Sequence, residues 1–308
     1  MKKLLKTREG RTMLWAIVFG LLLTASAAWT LLDTFVLPSN IVYMDMTGDD
    51  RDGNDSDVYY EEPVITDTSY HDNDISIEIS QIRKYDTDIY IAEVILEKPY
   101  YLKTGLANGV FGRNIVDTTS SIAEENNAIF AINGDYYGFR TSGYVMRRGQ
   151  VFRDSISELS YTEDLVIYKD GNMEIIDEIY TSMEELQEKG AREVFSFGPG
   201  LVENGEVSVS KFDEVDRSQE MNPRTAIGQA GPLHYFLVVS DGRTKQSPGM
   251  SLLQLAQVMQ ELGCETAYNL DGGGSSAIWF NGKILNKPTT YGKVIEERSI
   301  SDIVYIGK

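Results

Sequence analysis

The stretch Thr266-Ala267-Tyr268-Asn269-Leu270-Asp271-Gly272-Gly273-Gly274-Ser275-Ser276 decides the fold class. Thr266 to Leu270 reads as a buried strand that runs directly into a carboxylate and three consecutive glycines. Ahead of it, Ser251 to Leu262 is the clearest helix of the chain. Leu252, Leu255, Ala256, Met259 and Leu262 share one face, and Gly263 stops it. Behind it, Ala277 to Phe280 and Lys283-Ile284 form a hairpin around Asn281-Gly282, a dipeptide that tolerates the left-handed turn. Farther out the same grammar repeats. Ile75, Ile77 and Ile79 alternate with polar residues, as do Ile89 and Ile91, with a turn at Lys84 to Asp88. Thr118 to Asn127 reads as a short helix and Ala128 to Ile132 as a buried strand. Val145 to Arg153 is a hairpin, and Leu165 to Tyr168 with Met173 to Ile176 is another around Asp170-Gly171. Ser182 to Lys189 is a helix with a Ser182/Glu185 capping box and Gly190 as its stop. Val194 to Phe197, Thr225 to Gln229, Tyr235 to Ser240 and Ile303 to Ile306 are further strands. Strands outnumber helices and many are hairpin-linked. The class is α+β, with a mixed, mostly antiparallel sheet and a few packed helices.

That body occupies residues 75–308. In front of it lie two different segments. Met13 to Leu32 is an uncharged run of 20 residues preceded by Lys2, Lys3, Lys6, Arg8 and Arg11. About 20 apolar residues cross a bilayer, and flanking basic residues stay on the cytoplasmic side. Residues 1–37 therefore read as a basic stub and a single transmembrane anchor, with the rest of the chain outside the cell. A cleaved signal peptide, with Ala25-Ser26-Ala27 as its cleavage site, is the competing reading, but the apolar run is long for one. Between Asp45 and Asp74 stand eleven acids and one base, Arg51. So polar a stretch cannot bury enough surface to order itself, and 38–74 reads as an acidic disordered stalk. Its aspartates lack the spacing of an EF-hand loop.

Composition removes several functions. The 308 residues carry 47 acids and 28 bases, a formal net charge of -19, which argues against nucleic acid as a partner. A single cysteine, Cys264, rules out an internal disulfide and any cysteine-cluster zinc site. Two histidines, His71 and His234, leave little for a His-rich metal site or a Ser-His-Asp triad. Cys264 and His234 read as packing residues.

The candidate chemistry sits where strands end. Asp271 is a rigidly held carboxylate at a strand terminus, and Gly272, Gly273, Gly274 and Ser275 offer close backbone approach and a nest of N–H groups for an anion. No P-loop pattern is present. Asn133-Gly134-Asp135-Tyr136-Tyr137 repeats the logic: a buried strand, a glycine, a carboxylate, and two aromatics suited to a sugar face. Arg224, in Asn222-Pro223-Arg224-Thr225, is placed as an anion clamp at the start of an apolar strand. Asp241 and Arg243 leave the strand Tyr235 to Ser240, and Arg298 precedes the last strand.

In this order, these segments resemble the phosphodiester glycosidase family, which includes a lysosomal uncovering enzyme and bacterial envelope proteins. The matching residues are Asn133-Gly134-Asp135-Tyr136-Tyr137, Pro223-Arg224-Thr225-Ala226-Ile227-Gly228, Asp241-Gly242-Arg243, Asn269-Leu270-Asp271-Gly272-Gly273-Gly274-Ser275 and Glu297-Arg298, with Gly198-Pro199-Gly200 as a softer match. Asp135 and its tyrosine pair depart from the family's usual glycine and phenylalanines. The resemblance implies hydrolysis of a sugar-1-phosphodiester at the anomeric carbon, on envelope or exopolysaccharide glycans. Arg224, with Arg298, would hold the phosphate, the 272–275 backbone would add donors, and Asn133 and Asn269 would bind sugar hydroxyls. Asp271, with Asp135 as second choice, would activate water or stabilise the oxocarbenium-like state. No cofactor is required, while the extra acid leaves room for a divalent cation, calcium or magnesium. Two other readings stand beside this one. The first is a non-catalytic envelope polysaccharide binding or assembly protein. The second is a metal-dependent phosphodiesterase using Asp135, Asp241 and Asp271 as oxygen ligands.

Overall fold

The strand Thr87–Leu96 shows why the molecule is layered. Ile89 and Ile91 point to one face of its sheet, and Tyr90, Ala92 and Val94 to the other, the period-2 alternation of a strand covered on both sides. The computed structural model describes residues 8–45, 62–157, 162–213 and 221–308. Its α-helices are α1 (Arg8–Phe35), α2 (Thr119–Glu125), α3 (Met183–Glu188) and α4 (Leu252–Glu261).

The main sheet has nine strands, in the order Glu206–Val207, Gly200–Glu203, Thr266–Leu270, Thr225–Gly231, His234–Ser240, Thr87–Leu96, Ile75–Lys84, Ser69–His71 and Val64–Ile65. A second sheet, of Lys283–Ile284, Ile278–Phe280, Phe130–Asn133, Asp302–Ile306 and Leu102–Leu106, packs against one face of it. Between the two lies the main core, where Ile227, Val239, Tyr268 and Leu270 meet Phe130, Ile132, Ile278 and Val304. α4 covers the other face of the main sheet through Leu252, Leu255, Ala256 and Met259, against Ala226, Phe236, Val238 and Ala267. α2 covers the outside of the second sheet through Ile122 and Ala123. A third sheet, ordered Gln150–Arg153, Val145–Arg147, Ala191–Phe195, Glu163–Tyr168 and Met173–Asp177, carries α3 on one face. The sheets are antiparallel in every described pairing, in line with the mostly antiparallel α+β class expected.

Local chemistry accounts for the boundaries. The Ser251 hydroxyl accepts the Gln254 amide N–H while the Gln254 side chain accepts the Ser251 N–H, a reciprocal cap on α4. Ser182 accepts the Glu185 N–H at the start of α3. Tyr85 and Asp86 adopt positive φ at the tip of the first long hairpin, as does Asn281 in the Asn281-Gly282 turn. Cys264 is buried under α4, and burial pushes its thiol up to about 12.

The acidic segment 38–74 differs from its reading as a disordered stalk. Ser39–Tyr43 pairs with Val110–Arg113, and Val64–Ile65 and Ser69–His71 extend the main sheet. These short edge strands take their order from the ladder beside them rather than from a core of their own, so composition does not betray them. Residues 46–61, the middle of the segment, lie outside the described residues. α1 is long and apolar enough to cross a membrane.

Candidate active site

The two packed sheets end together. Phe130–Asn133 of one and Thr266–Leu270 of the other deliver two Asn-x-Asp segments to the same edge. Asn133 ties them. Its Nδ2 donates to the Asp271 carbonyl at 2.6 Å, and its Oδ1 accepts from Thr225 Oγ1 at 2.8 Å and from the Ala277 N–H at 3.2 Å. The Asp271 N–H returns to the Gly134 carbonyl at 3.1 Å. Asn133 is fully buried. Its amide therefore positions Asp271 instead of meeting sugar hydroxyls as expected. Asn269 is buried too, with Nδ2 on the Gly198 carbonyl at 2.8 Å, while its Oδ1 has no hydrogen-bond partner among the described residues.

The glycine run is a scaffold for the charges around it. Gly273 has φ +64°, and a Cβ there would stand 2.7 Å from Arg243 Nη2, so only glycine lets the guanidinium lie on the loop. The expected anion nest is largely filled from within. The Gly272 N–H donates to Asp271 Oδ1 at 2.8 Å, the Gly273 N–H to the Pro223 carbonyl at 2.8 Å and the Ser275 N–H to the Gly272 carbonyl at 3.2 Å. The three N–H groups hold the loop and its carboxylate in shape.

Asp271 is the chemically poised group. Burial pushes its carboxyl up to about 6, against the pull of the Ser275 hydroxyl, the Arg298 guanidinium, the Gly272 N–H and Arg140. Arg243 donates from Nε to Asn222 Oδ1 at 3.1 Å and from Nη1 to the Thr290 carbonyl at 2.7 Å. Burial, and then the nearby Arg298, hold Arg243 below its ordinary pKa, while Asp271 opposes them. Arg243, with Arg298 nearby and the Asp271 carboxylate beside it, gathers positive charge of the kind that can seat an anion. Arg140, which the sequence analysis overlooked, donates to the Ser196 carbonyl and lies 4.9 Å from the centre of the Phe197 ring.

The remaining expected residues support this seat from behind. Arg224 is 3% exposed and its Nε donates to the Met250 carbonyl at 2.9 Å, so this guanidinium is held inside the fold behind the loop. Asp241 accepts the Lys287 N–H at 2.8 Å and fixes the start of the loop that carries Arg298. Of the two tyrosines, Tyr137 is core, stacked on Phe111 and donating to the Ser301 carbonyl at 3.0 Å, whereas Tyr136 stays at the rim, stacked on Phe139.

Asp135 departs most from expectation. Its Oδ2 accepts from Arg147 Nη2 at 3.0 Å and from the Ser196 N–H at 3.3 Å, and its Oδ1 accepts the Tyr137 N–H at 2.6 Å. Arg147 also grips Asp302 through Nε at 2.9 Å and Nη2 at 2.7 Å. All three are buried. Burial by itself would lower Arg147, but Asp302 and Asp135 raise it well above its ordinary value. Burial pushes Asp302 up, opposed by Arg147 and reinforced by Asp135. A carboxylate held by a buried guanidinium and two backbone N–H groups is engaged as an ion-pair partner within the fold. Gly134 belongs to this cluster, since a Cβ there would stand 2.4 Å from Asp302 Oδ1.

The three carboxylates of the metal reading do not converge. Asp135 faces Arg147 and Asp241 faces the backbone at Lys287. Among the described residues, no group of three or more His, Cys, Asp or Glu side chains is arranged to hold a metal ion.

Residues 126–307 match the family model described as phosphodiester glycosidase. The chain is 31% identical over 182 residues to YomE, an uncharacterized SPbeta prophage-derived protein of Bacillus subtilis strain 168, covering 57% of this chain and 28% of that protein. It is 30% identical over 103 residues to the N-acetylglucosamine-1-phosphodiester alpha-N-acetylglucosaminidase of Mus musculus, covering 30% of this chain and 20% of the enzyme. The match thus spans less than a third of the length of either relative. The zebrafish N-acetylglucosamine-1-phosphodiester alpha-N-acetylglucosaminidase catalytic domain, auto-inhibited by its pro-peptide, has the same fold. It superposes with a TM-score of 0.60 at 23% identity, covering 82% of this chain and 89% of that one. The family match takes in both Asn-x-Asp strand ends, Arg224, Arg243 and Arg298, over more than half of the chain, and the chain belongs to the phosphodiester glycosidase family.

Proposed function

We propose that the protein hydrolyses a sugar-1-phosphodiester at the anomeric carbon, outside the cell and tethered by α1. One observation carries the reading: a buried carboxyl, Asp271, raised to about 6, beside Arg243 and Arg298. A carboxyl with a pKa near 6 is ionised at neutral pH yet basic enough to take a proton from water. Water attacks C1 of the sugar and gives its proton to Asp271. The C1–O bond breaks and its electron pair leaves on the phosphate oxygen, as a phosphomonoester. That leaving group is a weak base, so a second carboxylic acid is less necessary than for an ordinary glycoside. Arg243 and Arg298 hold the phosphate and take up its added charge, and Arg140 closes the opposite wall with Tyr136. The basic residues ahead of Met13 and the length of α1 support the outside placement. Envelope or exopolysaccharide glycans are the substrate class this location favours.

The test is to incubate the full chain in detergent with N-acetylglucosamine-1-phosphodiesters in ¹⁸O water, with and without chelator. Free sugar carrying ¹⁸O, plus a phosphomonoester, at an unchanged rate with chelator, is the expected result. Sugar-1-phosphate as product means P–O cleavage and sinks the reading. Saturable glycan binding without any product, by a folded protein, moves the function to binding or assembly.

A further inference from the structure

The membrane helix and the mouth of the site are joined by very little chain. Only Val36, Leu37 and Pro38 separate α1 from the strand Ser39–Tyr43, a span of about 10 Å at most. The junction is pinned. Arg113 Nη2 donates to the Thr34 carbonyl at 3.2 Å, and Asn114 Nδ2 donates to the carbonyls of Thr34 at 3.2 Å and Leu37 at 3.0 Å. The same segment holds both lips of the site. The Asn114 N–H donates to the Gly138 carbonyl at 3.2 Å, beside Phe139 and Arg140. Asp117 bridges Ile300, and the Ser120 N–H donates to Glu297 Oε1 at 2.9 Å, beside Arg298. The mouth therefore opens at the end where the chain leaves the bilayer.

Both lips present apolar side chains to solvent. Tyr291 is 85% exposed, Val294 57% and Ile295 53%, and Phe139 on the other lip is exposed as well. This loop is fixed in shape. Arg243 holds the Thr290 carbonyl, Thr289 Oγ1 donates to the Val294 carbonyl at 2.6 Å, and the Glu296 N–H donates to the Pro288 carbonyl at 2.9 Å. A rigid tip reading Tyr291-Gly292-Lys293-Val294-Ile295 pairs an amphipathic aromatic and two aliphatics with one lysine, the composition that settles at a lipid headgroup boundary. It stands next to Arg243, whose Nη1 holds the Thr290 carbonyl at its base.

We propose that this rim rests on the outer leaflet and that the substrate is a lipid-linked sugar phosphodiester. The inference rests on the hydrolase reading and on a retained α1. The sugar occupies the cleft below Asp271, the phosphate lies on Arg243 and Arg298, and the lipid chain passes Tyr291, Val294 and Ile295 into the bilayer. Water adds to C1, the C1–O bond breaks, and its electron pair leaves on the lipid phosphate. The products are free sugar and a lipid monophosphate that stays in the membrane.

The experiment uses the full chain in phosphatidylcholine vesicles and has two arms. In the first, a nitroxide is placed on Tyr291→Cys and, as a control, on Lys169→Cys, at the turn next to Gly171, which packs on Tyr235 at the far end of the strands. The native Cys264 is buried and does not label. The label at 291 should collide with oxygen and be shielded from an aqueous nickel chelate, and the label at 169 should show the reverse. Equal nickel access at both positions overturns the membrane contact, whatever the catalytic result. In the second arm, N-acetylglucosamine-1-phosphate esters of a long-chain and of a four-carbon alcohol compete in the same vesicles. The long-chain ester should be cleaved at least tenfold faster, and the triple variant Tyr291→Ser, Val294→Ser, Ile295→Ser should abolish that ratio. Equal rates, or faster cleavage of the short ester, overturn the lipid substrate while leaving the hydrolase reading intact. Failure of both esters overturns the hydrolase reading and the lipid substrate together.

Discussion

Asn133-Gly134-Asp135 and Asn269-Leu270-Asp271 have the same shape in sequence, an Asn-x-Asp at the exit of a buried strand, and opposite fates in the fold. Asp135 meets Arg147 and two backbone N–H groups and is locked inside an ion-pair cluster. Asp271 meets one N–H and one hydroxyl, with its cations at longer range, and burial leaves it at about 6. The residue type does not decide which carboxylate is locked against a cation and which is left without one in contact. What decided it was the cation that came to each: a buried guanidinium in contact with Asp135, and half-exposed ones around Asp271.

The comparison breaks most visibly at Arg147. Arg147→Met leaves Asp135 and Asp302 buried with no counter-charge, a loss of about 3–5 kcal/mol. In a body of this size that is a fall of roughly 6–20 °C in melting temperature, read by circular dichroism. Arg243→Met, at the half-exposed seat, should leave the melting temperature nearly unchanged. A smaller effect is expected for Asp135→Asn. Its amide keeps the Tyr137 contact but turns N–H groups toward Arg147 and Ser196, which costs about 1–2 kcal/mol in chemical denaturation.

Asp271→Asn should move the other way. Burial raises Asp271 above its unfolded value, so its ionised form costs stability. That cost is absent below about pH 4 and complete above about pH 6. The Asn variant is therefore expected to be more stable by about 1 kcal/mol at pH 7, with the gain gone at pH 4, where the two proteins should unfold at the same denaturant concentration. The pH profile sharpens the same point. If Asp271 must be ionised, kcat/KM falls about tenfold per pH unit below about pH 6, on an arm that Asp135→Asn leaves in place.

Much of the fold was legible in the chain because its signals are local. The α4 cap at Ser251, the Asn281-Gly282 turn and the alternation through Ile75–Lys84 need no knowledge of tertiary structure. The strands Ser39–Tyr43 and Ser69–His71 were not legible, because their order comes from the ladder beside them. At the site, Asp271 with its glycine run was readable as a strand end, and Arg243 and Arg298 as charges next to strand ends. The pairing of Asp135 with Arg147 and Asp302, and the approach of Arg140, were not. Arg147 and Asp302 stand 155 residues apart in sequence, and no local rule announces which guanidinium a buried carboxylate will find.

The most direct measurement compares turnover of one sugar-1-phosphodiester by the wild-type chain, Asp271→Asn and Asp135→Asn, each normalised to folded protein. Asp271→Asn should lose at least two orders of magnitude in kcat with its fold intact, while Asp135→Asn keeps most of its turnover per folded molecule. Wild-type turnover in a folded Asp271→Asn, or total loss confined to a folded Asp135→Asn, would contradict the division of labour between the two strand ends.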